Sequence, residues 1–354
     1  MAKVSLPLGT SREVSDRRGR PLHDLRISVT DRCNFRCVYC MPKEIFGRDY
    51  AFLETSEMLT FTEIERLVRA SVNLGVRKVR LTGGEPLLRK GIEDLVARIA
   101  AVGHDAGVPL DIALTTNGSA LKVKAAALKA AGLNRVTVSM DALDDAVFRD
   151  MNDVNFGVDR VLAGIAAAED AGLGPVKINM VVQRSRNLDQ IVPMAEYFKD
   201  RGHVLRFIEF MDVGETNGWD RTDVVPTREI VELLDARFGL MALEPESPDS
   251  TSTRWGYADG SNEIGFISSV TGAFCSTCSR ARISTDGQLF TCLFATQGTD
   301  LRSLLRSGYT DEQLQEALAG IWGVRADAYS LHRGEDTDGR RARGNKVEMS
   351  FIGG

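Results

Sequence analysis

Short apolar segments alternate with helical segments between residues 25 and 210, and this alternation limits the possible folds more than any other feature. The predicted strands are 25–29, 76–82, 111–116, 135–139, 176–183 and 204–210. The predicted helices between them are 60–75, 91–103, 121–132, 159–172 and 188–202. Strands that alternate with helices of this length form parallel βαβ units.

The number of predicted units decides between the parallel architectures. A complete eight-unit barrel usually needs about 250 residues, and the alternation here ends well before that. The sequence therefore predicts an α/β fold in which residues 1–218 form a partial (β/α)6 TIM-like barrel. An open doubly wound sheet is the alternative.

The remaining residues, 219–354, are expected to form a C-terminal extension. Pro, Ser, Thr, Asp and Gly dominate 244–262, and short strands are predicted near 264–268 and 281–284. Helices are predicted at 301–308 and 311–322. The segment 334–345 is highly charged and nearly devoid of large apolar residues, so we expect a mobile tail there.

Six cysteines fall into two widely separated triads. The triads are Cys33, Cys37 and Cys40, then Cys275, Cys278 and Cys292. No apolar run is long enough for a signal peptide or a membrane span, so we expect a cytoplasmic protein without membrane association. In that reducing compartment, cysteines more often bind metals or act in catalysis than form disulfides. The net charge of −5 gives no support for nucleic-acid binding.

The first triad has the spacing C-x3-C-x2-C and directly follows the first predicted strand. Thiolates are soft ligands that suit zinc or iron–sulfur clusters. A structural zinc ion normally takes four protein ligands, yet the nearest other candidate, His23, lies upstream of the strand. Three thiolates on a [4Fe–4S] cluster would leave one iron open. We therefore expect such a cluster, with a zinc knot as the alternative.

The second triad allows the same two interpretations. His332 could complete a zinc site of three cysteines and one histidine, whereas a second [4Fe–4S] cluster would again have an open iron. Arg280 and Arg282 follow Cys278 closely, and strand alternation would put both on one face. Arginine suits bidentate phosphate binding. The alternative is two solvated surface arginines.

Polar and glycine residues gather where the predicted strands end. The first cysteine loop, Gly83–Gly84, 115–118 and Ser139 all follow strands at their carboxyl ends. In αβ barrels that end carries the active site. The sequence has no phosphate-binding loop of the form G-x4-G-K-[ST]. Any phosphate is therefore expected to be held by charged side chains from several strands.

The first triad and the motif Thr-Gly-Gly-Glu-Pro at 82–86 resemble the radical S-adenosylmethionine superfamily. In that superfamily the open iron chelates S-adenosylmethionine, and one electron then yields methionine and a 5′-deoxyadenosyl radical. The segments 24–33, 80–86, 206–212 and 274–282, together with the terminal Gly353–Gly354, extend the resemblance to the GTP 3′,8-cyclase family of molybdenum cofactor biosynthesis.

The resemblance implies a lyase with two [4Fe–4S] clusters that converts GTP to (8S)-3′,8-cyclo-7,8-dihydroguanosine 5′-triphosphate. It implies that GTP ligates the second cluster. It also implies that the catalytic residues are Cys33, Cys37 and Cys40 together with Gly353 and Gly354, whose tail enters the active site. The implied contacts of S-adenosylmethionine are Tyr39, Gly84, Ser139 and Met211. The implied contacts of GTP are Arg26, Arg80, Thr115, Lys177, Arg280 and Arg282. Lys177 lies near a predicted strand start and rests on the resemblance alone.

The resemblance also implies partners. These are an external electron donor and, as the next enzyme of the pathway, cyclic pyranopterin monophosphate synthase; a homodimer is a further possibility. Two other functions stay open at this point. One is a two-cluster radical S-adenosylmethionine enzyme that modifies a peptide, although such enzymes tend to carry more C-terminal cysteines. The other is a zinc-stabilised nucleotide-binding module.

Overall fold

A computed structural model gives the structure of the protein and describes residues 13–332 and 346–353. Its centre is a row of parallel strands that pair in chain order. The strands are β1 (Asp24–Ser28), β2 (Lys78–Thr82), β3 (Asp111–Thr116), β4 (Arg135–Ser139), β5 (Lys177–Val182) and β6 (Val204–Glu209). All six predicted strands are confirmed. The charged segment 334–345, where we expected a mobile tail, and Gly354 lie outside the described residues.

Helices connect these strands and cover the outer face of the sheet. They are α1 (Phe61–Asn73), α2 (Ile92–Asp105), α3 (Leu121–Ala130), α4 (Asp145–Asn152), α5 (Val158–Asp170) and α6 (Ile191–Lys199). Helix α1 begins at a capping box, in which Thr60 and Glu63 each accept a backbone hydrogen bond from the other. The short helix α4 was not predicted. Its N-terminus is capped by Asp144, whose carboxylate accepts the N–H groups of Ala146 and Val147.

The C-terminal region extends the same sheet at both edges. Its elements are α7 (Thr227–Phe238), β7 (Leu240–Leu243), β8 (Thr253–Tyr257), β9 (Glu263–Ile267), β10 (Arg280–Ile283), β11 (Gln288–Phe290), β12 (Thr299–Asp300), α8 (Leu301–Arg306), α9 (Asp311–Gly323), α10 (Tyr329–His332) and α11 (Met349–Ile352). Strand β10 pairs with β1 and strand β9 with β6, both in parallel. The strand order is β12-β11-β10-β1-β2-β3-β4-β5-β6-β9-β8-β7. The result is a partial TIM-like barrel with a C-terminal extension.

Alternation along the strands separates an apolar outer layer from a charged interior. On β1, Leu25 and Ile27 are each 1% exposed and belong to the main hydrophobic core. Arg26, between them, points to the opposite face. In the register of the sheet Arg26 stands next to Arg80 of β2 on one side and Arg282 of β10 on the other. The fold thus places three guanidinium-bearing residues side by side in one row of the barrel interior.

No helix in the described ranges is both long and apolar enough to cross a membrane. This finding agrees with the sequence, in which no apolar run reaches the length that a transmembrane helix needs.

Candidate active site

One cavity brings the predicted site residues together at the carboxyl ends of the central strands. It encloses about 1910 Å³ of space that protein atoms do not fill, part of it open to solvent. The predicted site residues that line it are Cys33, Cys37, Cys40, Cys275, Cys278, Cys292, Tyr39, Gly84, Ser139, Met211, Arg26, Arg80, Thr115, Arg280 and Arg282. The two cysteine triads, more than two hundred residues apart in sequence, therefore face a common space.

The first triad lies in the loop that follows β1. Its thiols are free, and burial raises the pKa of Cys33 to about 11 and the pKa of Cys37 and Cys40 well above the usual value. A buried neutral thiol loses its proton when it binds a metal cation. Cys33 already accepts hydrogen bonds through its sulfur from the Phe35 N–H at 3.4 Å and the Asn117 amide at 3.7 Å. This donor set fits an iron–sulfur cluster with three protein ligands.

The Gly-Gly-Glu motif braces this cysteine loop. The Gly84 N–H donates to the Thr30 carbonyl at 2.7 Å, and a side chain at Gly84 would collide with the backbone of Arg32. The buried Glu85 carboxylate accepts hydrogen bonds from the Thr116 hydroxyl at 2.8 Å and the Asn117 N–H at 2.7 Å. Burial raises the pKa of Glu85 to about 7. The motif therefore ties the end of β3 to the loop that carries the first triad.

Tyr39, inside the first triad, is held by a residue that sequence reasoning missed. Its hydroxyl donates to the Asp141 carboxylate at 2.8 Å, and Asp141 also accepts the Val181 N–H at 2.9 Å. Burial raises the pKa of Asp141 to about 6. Asp141 follows the end of β4, two residues after Ser139, so the strand-end argument that selected Ser139 could have found it.

The second triad lies in two places: Cys275 and Cys278 are in a short turn before β10, and Cys292 is the second residue after β11. Burial alone would raise the pKa of Cys278, but the charges of Arg280 and Arg325 outweigh it and lower that pKa to about 7. Burial raises the pKa of Cys292 to about 11. His332, the candidate fourth zinc ligand, ends α10, and its side chain lies outside the described residues. The three free thiols suit the same kind of cluster as the first triad.

Within residues 13–332 and 346–353, no three His, Cys, Asp or Glu side chains are arranged to hold one metal ion. A zinc ion needs all its cysteine sulfurs within about 2.3 Å of one point. The cysteine ligands of a [4Fe–4S] cluster bind different irons instead.

The arginines between the triads are buried and only partly paired. Arg280 is 7% exposed and Arg282 is 5% exposed, so the alternative of solvated surface arginines is wrong. The arginine nitrogens that are buried without a hydrogen-bond partner among the described residues are Nε of Arg26, Arg80 and Arg206, and Nη2 of Arg20 and Arg280. Burial and neighbouring guanidiniums lower the pKa of Arg80 and Arg282 to about 9, which leaves both charged at neutral pH. The buried Asp24 carboxylate offsets part of this charge. Unpaired donors with an excess of positive charge fit an anion.

Lys177 lies apart from the other predicted GTP contacts. It begins β5 and lines a smaller polar cavity, where its ammonium group is 3.2 Å from the Glu246 carboxylate. This cavity shares four arginines with the larger one: Arg26, Arg80, Arg206 and Arg280. Lys177 lies at the start of its strand, which the sequence analysis had found to fit poorly with an active site at the strand ends. In the structure this position faces a second chamber behind the arginines. Arg206, not selected from the sequence, was detectable by alternation within β6.

The C-terminal tail reaches the larger cavity. Met349 and Ser350 of α11 line it, and the Gly353 carbonyl accepts a hydrogen bond from Arg282. Gly353 has a φ of +73°, and a side chain there would overlap Thr82. Glycine is therefore required at this position by both backbone and space. Gly354 lies outside the described residues.

Known proteins match this combination of barrel and cysteine sites. Residues 27–198 match the family model of the Radical SAM superfamily, which is the class that the barrel and the first triad define. Residues 203–331 match the model described as Molybdenum Cofactor Synthesis C. Streptococcus suis SuiB, solved with S-adenosylmethionine, aligns over 90% of this chain and 69% of its own, with a TM-score of 0.58 and 14% identity, a likeness of fold alone.

Curated relatives match nearly the whole chain. The GTP 3′,8-cyclase of Xanthomonas axonopodis pv. citri (strain 306) is 50% identical over 96% of this chain and 99% of its own length. The GTP 3′,8-cyclase of Acidothermus cellulolyticus is 48% identical, again over 96% of this chain and 99% of its own length. The chain belongs to the GTP 3′,8-cyclase family.

Proposed function

We propose that the protein is a radical S-adenosylmethionine lyase that converts GTP to (8S)-3′,8-cyclo-7,8-dihydroguanosine 5′-triphosphate in molybdenum cofactor biosynthesis. The observation that carries the proposal is the single cavity that both cysteine triads and the buried arginines line. The name shared by the full-length relatives supports the substrate. Anaerobic turnover of GTP by reconstituted protein, with mass spectrometry of the product, tests it; two full clusters without cyclised product would contradict it.

The first triad would hold one [4Fe–4S] cluster, and Tyr39, Gly84, Ser139 and Met211 would contact S-adenosylmethionine. When bound, this cluster supplies the electron that releases a 5′-deoxyadenosyl radical. The protein's own contribution is positional. Tyr39 is fixed by Asp141, and the absence of a side chain at Gly84 lets the β2 turn pack directly on the cysteine loop. These contacts support a rigid pocket in which the radical forms next to the substrate.

The second triad would hold the other cluster and, on its open iron, the guanine base of GTP. GTP carries about four negative charges, so an acidic protein has to gather cations locally to bind it. Arg26, Arg80 and Arg280 have unpaired buried donors and line both cavities. The triphosphate would lie against these donors, with Lys177 behind them in the smaller cavity. The hydroxyl of Thr115, which accepts from Arg80 at 3.0 Å, would help to orient that guanidinium.

This arrangement sets the geometry of the reaction. With the base at the second triad and the phosphates at the arginines, the ribose would be held within the cavity that the first triad also lines. Its C3′ hydrogen would pass to the 5′-deoxyadenosyl radical, and the C3′ radical would then add to C8 of guanine. One further electron, from the external donor, and a proton would convert the resulting nucleotide radical to the 7,8-dihydro product. Positioning of this kind supplies much of the rate gain that enzymes achieve. Arg282 would link the substrate to the tail, because it already donates to the Gly353 carbonyl.

The tail gives a direct prediction. We expect Gly353→Ala to lower the rate of GTP cyclisation by about 10-fold or more, because a side chain at this positive-φ position would overlap Thr82 and displace the tail. Cyclised product and 5′-deoxyadenosine are measured together, at unchanged iron content. Deletion of Gly353 and Gly354 should have the same effect.

The matched control is Gly323→Ala at the end of α9, where an added methyl group meets no atom within 4 Å. This variant should cyclise GTP at the normal rate. Full activity of Gly353→Ala, or of the tail deletion, would remove the tail from the mechanism.

The proposed reaction also requires partners. Reductive cleavage of S-adenosylmethionine consumes an electron, so an external electron donor must dock. The cyclised triphosphate would pass to cyclic pyranopterin monophosphate synthase. Cytoplasmic location and a homodimeric state belong to the same proposal, and size-exclusion chromatography with light scattering tests the latter.

A further inference from the structure

Two buried arginines contact the backbone of the second cysteine triad. Arg20, from the segment before β1, donates through Nη1 to the Cys275 carbonyl at 2.7 Å. Arg325, from the segment after α9, donates through Nη1 to the Cys278 carbonyl at 2.7 Å. Both side chains are only 2% exposed. Two distant parts of the chain therefore meet at the turn that carries two of the three cysteines.

One carboxylate joins the two arginines. Asp16, whose side chain is fully buried, accepts from Arg20 Nε at 2.6 Å and from Arg325 Nη1 at 3.2 Å. Its pKa is lowered, because hydrogen bonds from the backbone N–H groups of Arg20 and Arg18 and the pairing with Arg20 outweigh the effect of burial. A buried arginine–carboxylate pair is costly to desolvate unless its other donors are also satisfied. Here Nη1 of each arginine is directed at the cysteine loop, whereas Nη2 of Arg20 has no hydrogen-bond partner among the described residues.

The third cysteine is reached through Asp327. The Asp327 carbonyl accepts from Arg20 Nη1 at 2.8 Å, and its carboxylate accepts from Arg325 Nε at 3.3 Å. The same carboxylate accepts from the hydroxyl of Thr291, next to Cys292, at 2.6 Å. One hydrogen-bonded network therefore contains Arg20, Arg325, Asp16 and Asp327. The network contacts the backbone of two of the cysteines and the residue next to the third.

Trp322 closes the network from the α9 side. Its indole N–H donates to the Arg20 carbonyl at 3.0 Å, and the Arg325 guanidinium lies 4.4 Å from its ring centroid. Trp322 is 1% exposed. The network is thereby anchored in the hydrophobic core, and the arginines have little freedom to adopt other rotamers.

We propose that Arg20 and Arg325 are positioning residues that hold the second cysteine triad in the geometry of its cluster. The proposal deepens the proposed function and rests on the second cluster that this function requires. Cysteine loops outside the regular sheet need such support. Loss of an outer contact that orients a metal ligand commonly lowers the affinity for the metal by about 10- to 100-fold. The first triad is braced separately, through Glu85 and Asp141. Loss of the network should therefore affect one cluster and spare the other.

The test uses the full chain, reconstituted with iron and sulfide. Wild-type protein should bind about eight irons per chain. Arg20→Lys keeps the positive charge opposite Asp16 but loses the planar fork that reaches both carbonyls. We expect it to bind about four irons and to retain uncoupled cleavage of S-adenosylmethionine. Arg325→Gln should give the same selective loss, seen as disappearance of the electron paramagnetic resonance signal of the second cluster.

Arg66→Lys is the matched control. Arg66 also bridges a carboxylate and a carbonyl, those of Asp311 and Tyr309, but joins α1 to the segment before α9 away from both triads. The iron content of the Arg66→Lys variant should stay at about eight per chain. Eight irons and an unchanged second-cluster signal in both network variants would overturn the inference. Equal loss of both clusters would also overturn it, and only about four irons in wild-type protein would instead contradict the proposed function.

Discussion

Cys37→Ala should lower the rate of S-adenosylmethionine cleavage by at least about 10³-fold, which is about 4 kcal/mol of barrier. Cys37 is one of the three thiols of the first triad and packs against the hydrophobic core. Two remaining thiols cannot hold the cluster in the orientation that leaves one iron open. Formation of 5′-deoxyadenosine under reducing conditions, measured by liquid chromatography, gives the rate.

The second triad provides the matched control for this experiment. Cys292→Ala removes a thiol from the same cavity but should retain uncoupled S-adenosylmethionine cleavage, since the first triad is intact. Each variant should lose about four irons per chain. Normal cleavage by Cys37→Ala, or loss of cleavage in Cys292→Ala at full occupancy of the first cluster, would show that the roles of the two triads are assigned wrongly.

The buried arginines should have the second large effect. We expect Arg280→Ala to weaken GTP binding by about 10- to 100-fold, because each charge-assisted hydrogen bond to a phosphate is worth about 1.5–3 kcal/mol. Arg282→Ala should weaken binding by a similar factor and lower cyclisation further, since Arg282 also holds the Gly353 carbonyl. Anaerobic calorimetry gives the affinities, and product analysis gives the rates.

Uncoupled S-adenosylmethionine cleavage distinguishes this result from misfolding. Both variants should keep it, because neither arginine contacts the first triad. Arg98→Ala serves as the matched control, since Arg98 is half-exposed and, within the part of the chain that the structure describes, forms its ion pair with Glu65. Unchanged GTP affinity in both variants would contradict the role of the arginines, whereas joint loss of GTP binding and cleavage would indicate a folding defect.

The sequence predicts well those parts of the fold that depend on neighbouring residues, and it predicts poorly those that depend on contacts between distant residues. Strands β1 to β6 and the capping box at Thr60 depend on local patterns, and both are confirmed. Helix α4 was missed because eight residues give too little periodicity. The pairing of β10 with β1 joins residues about 250 positions apart, and no local pattern in the sequence specifies such a partner.

In the candidate site, too, the features that depend on local sequence were predicted and those that depend on long-range contacts were not. Alternation placed Arg280 and Arg282 on one face, and the structure confirms it. The row formed by Arg26, Arg80 and Arg282 depends on the register of three strands, which sequence periodicity does not determine. Arg20 and Arg325 lie in segments without a motif. Only the folded chain brings them to the second triad.

We propose that a radical formed at the first triad acts on GTP held at the second. The most direct test supplies GTP with deuterium at ribose C3′ to the reduced protein with S-adenosylmethionine. We expect one deuterium in the 5′-deoxyadenosine recovered with the cyclised nucleotide. Recovery of 5′-deoxyadenosine without deuterium, or its formation only after addition of a peptide, would contradict the claim.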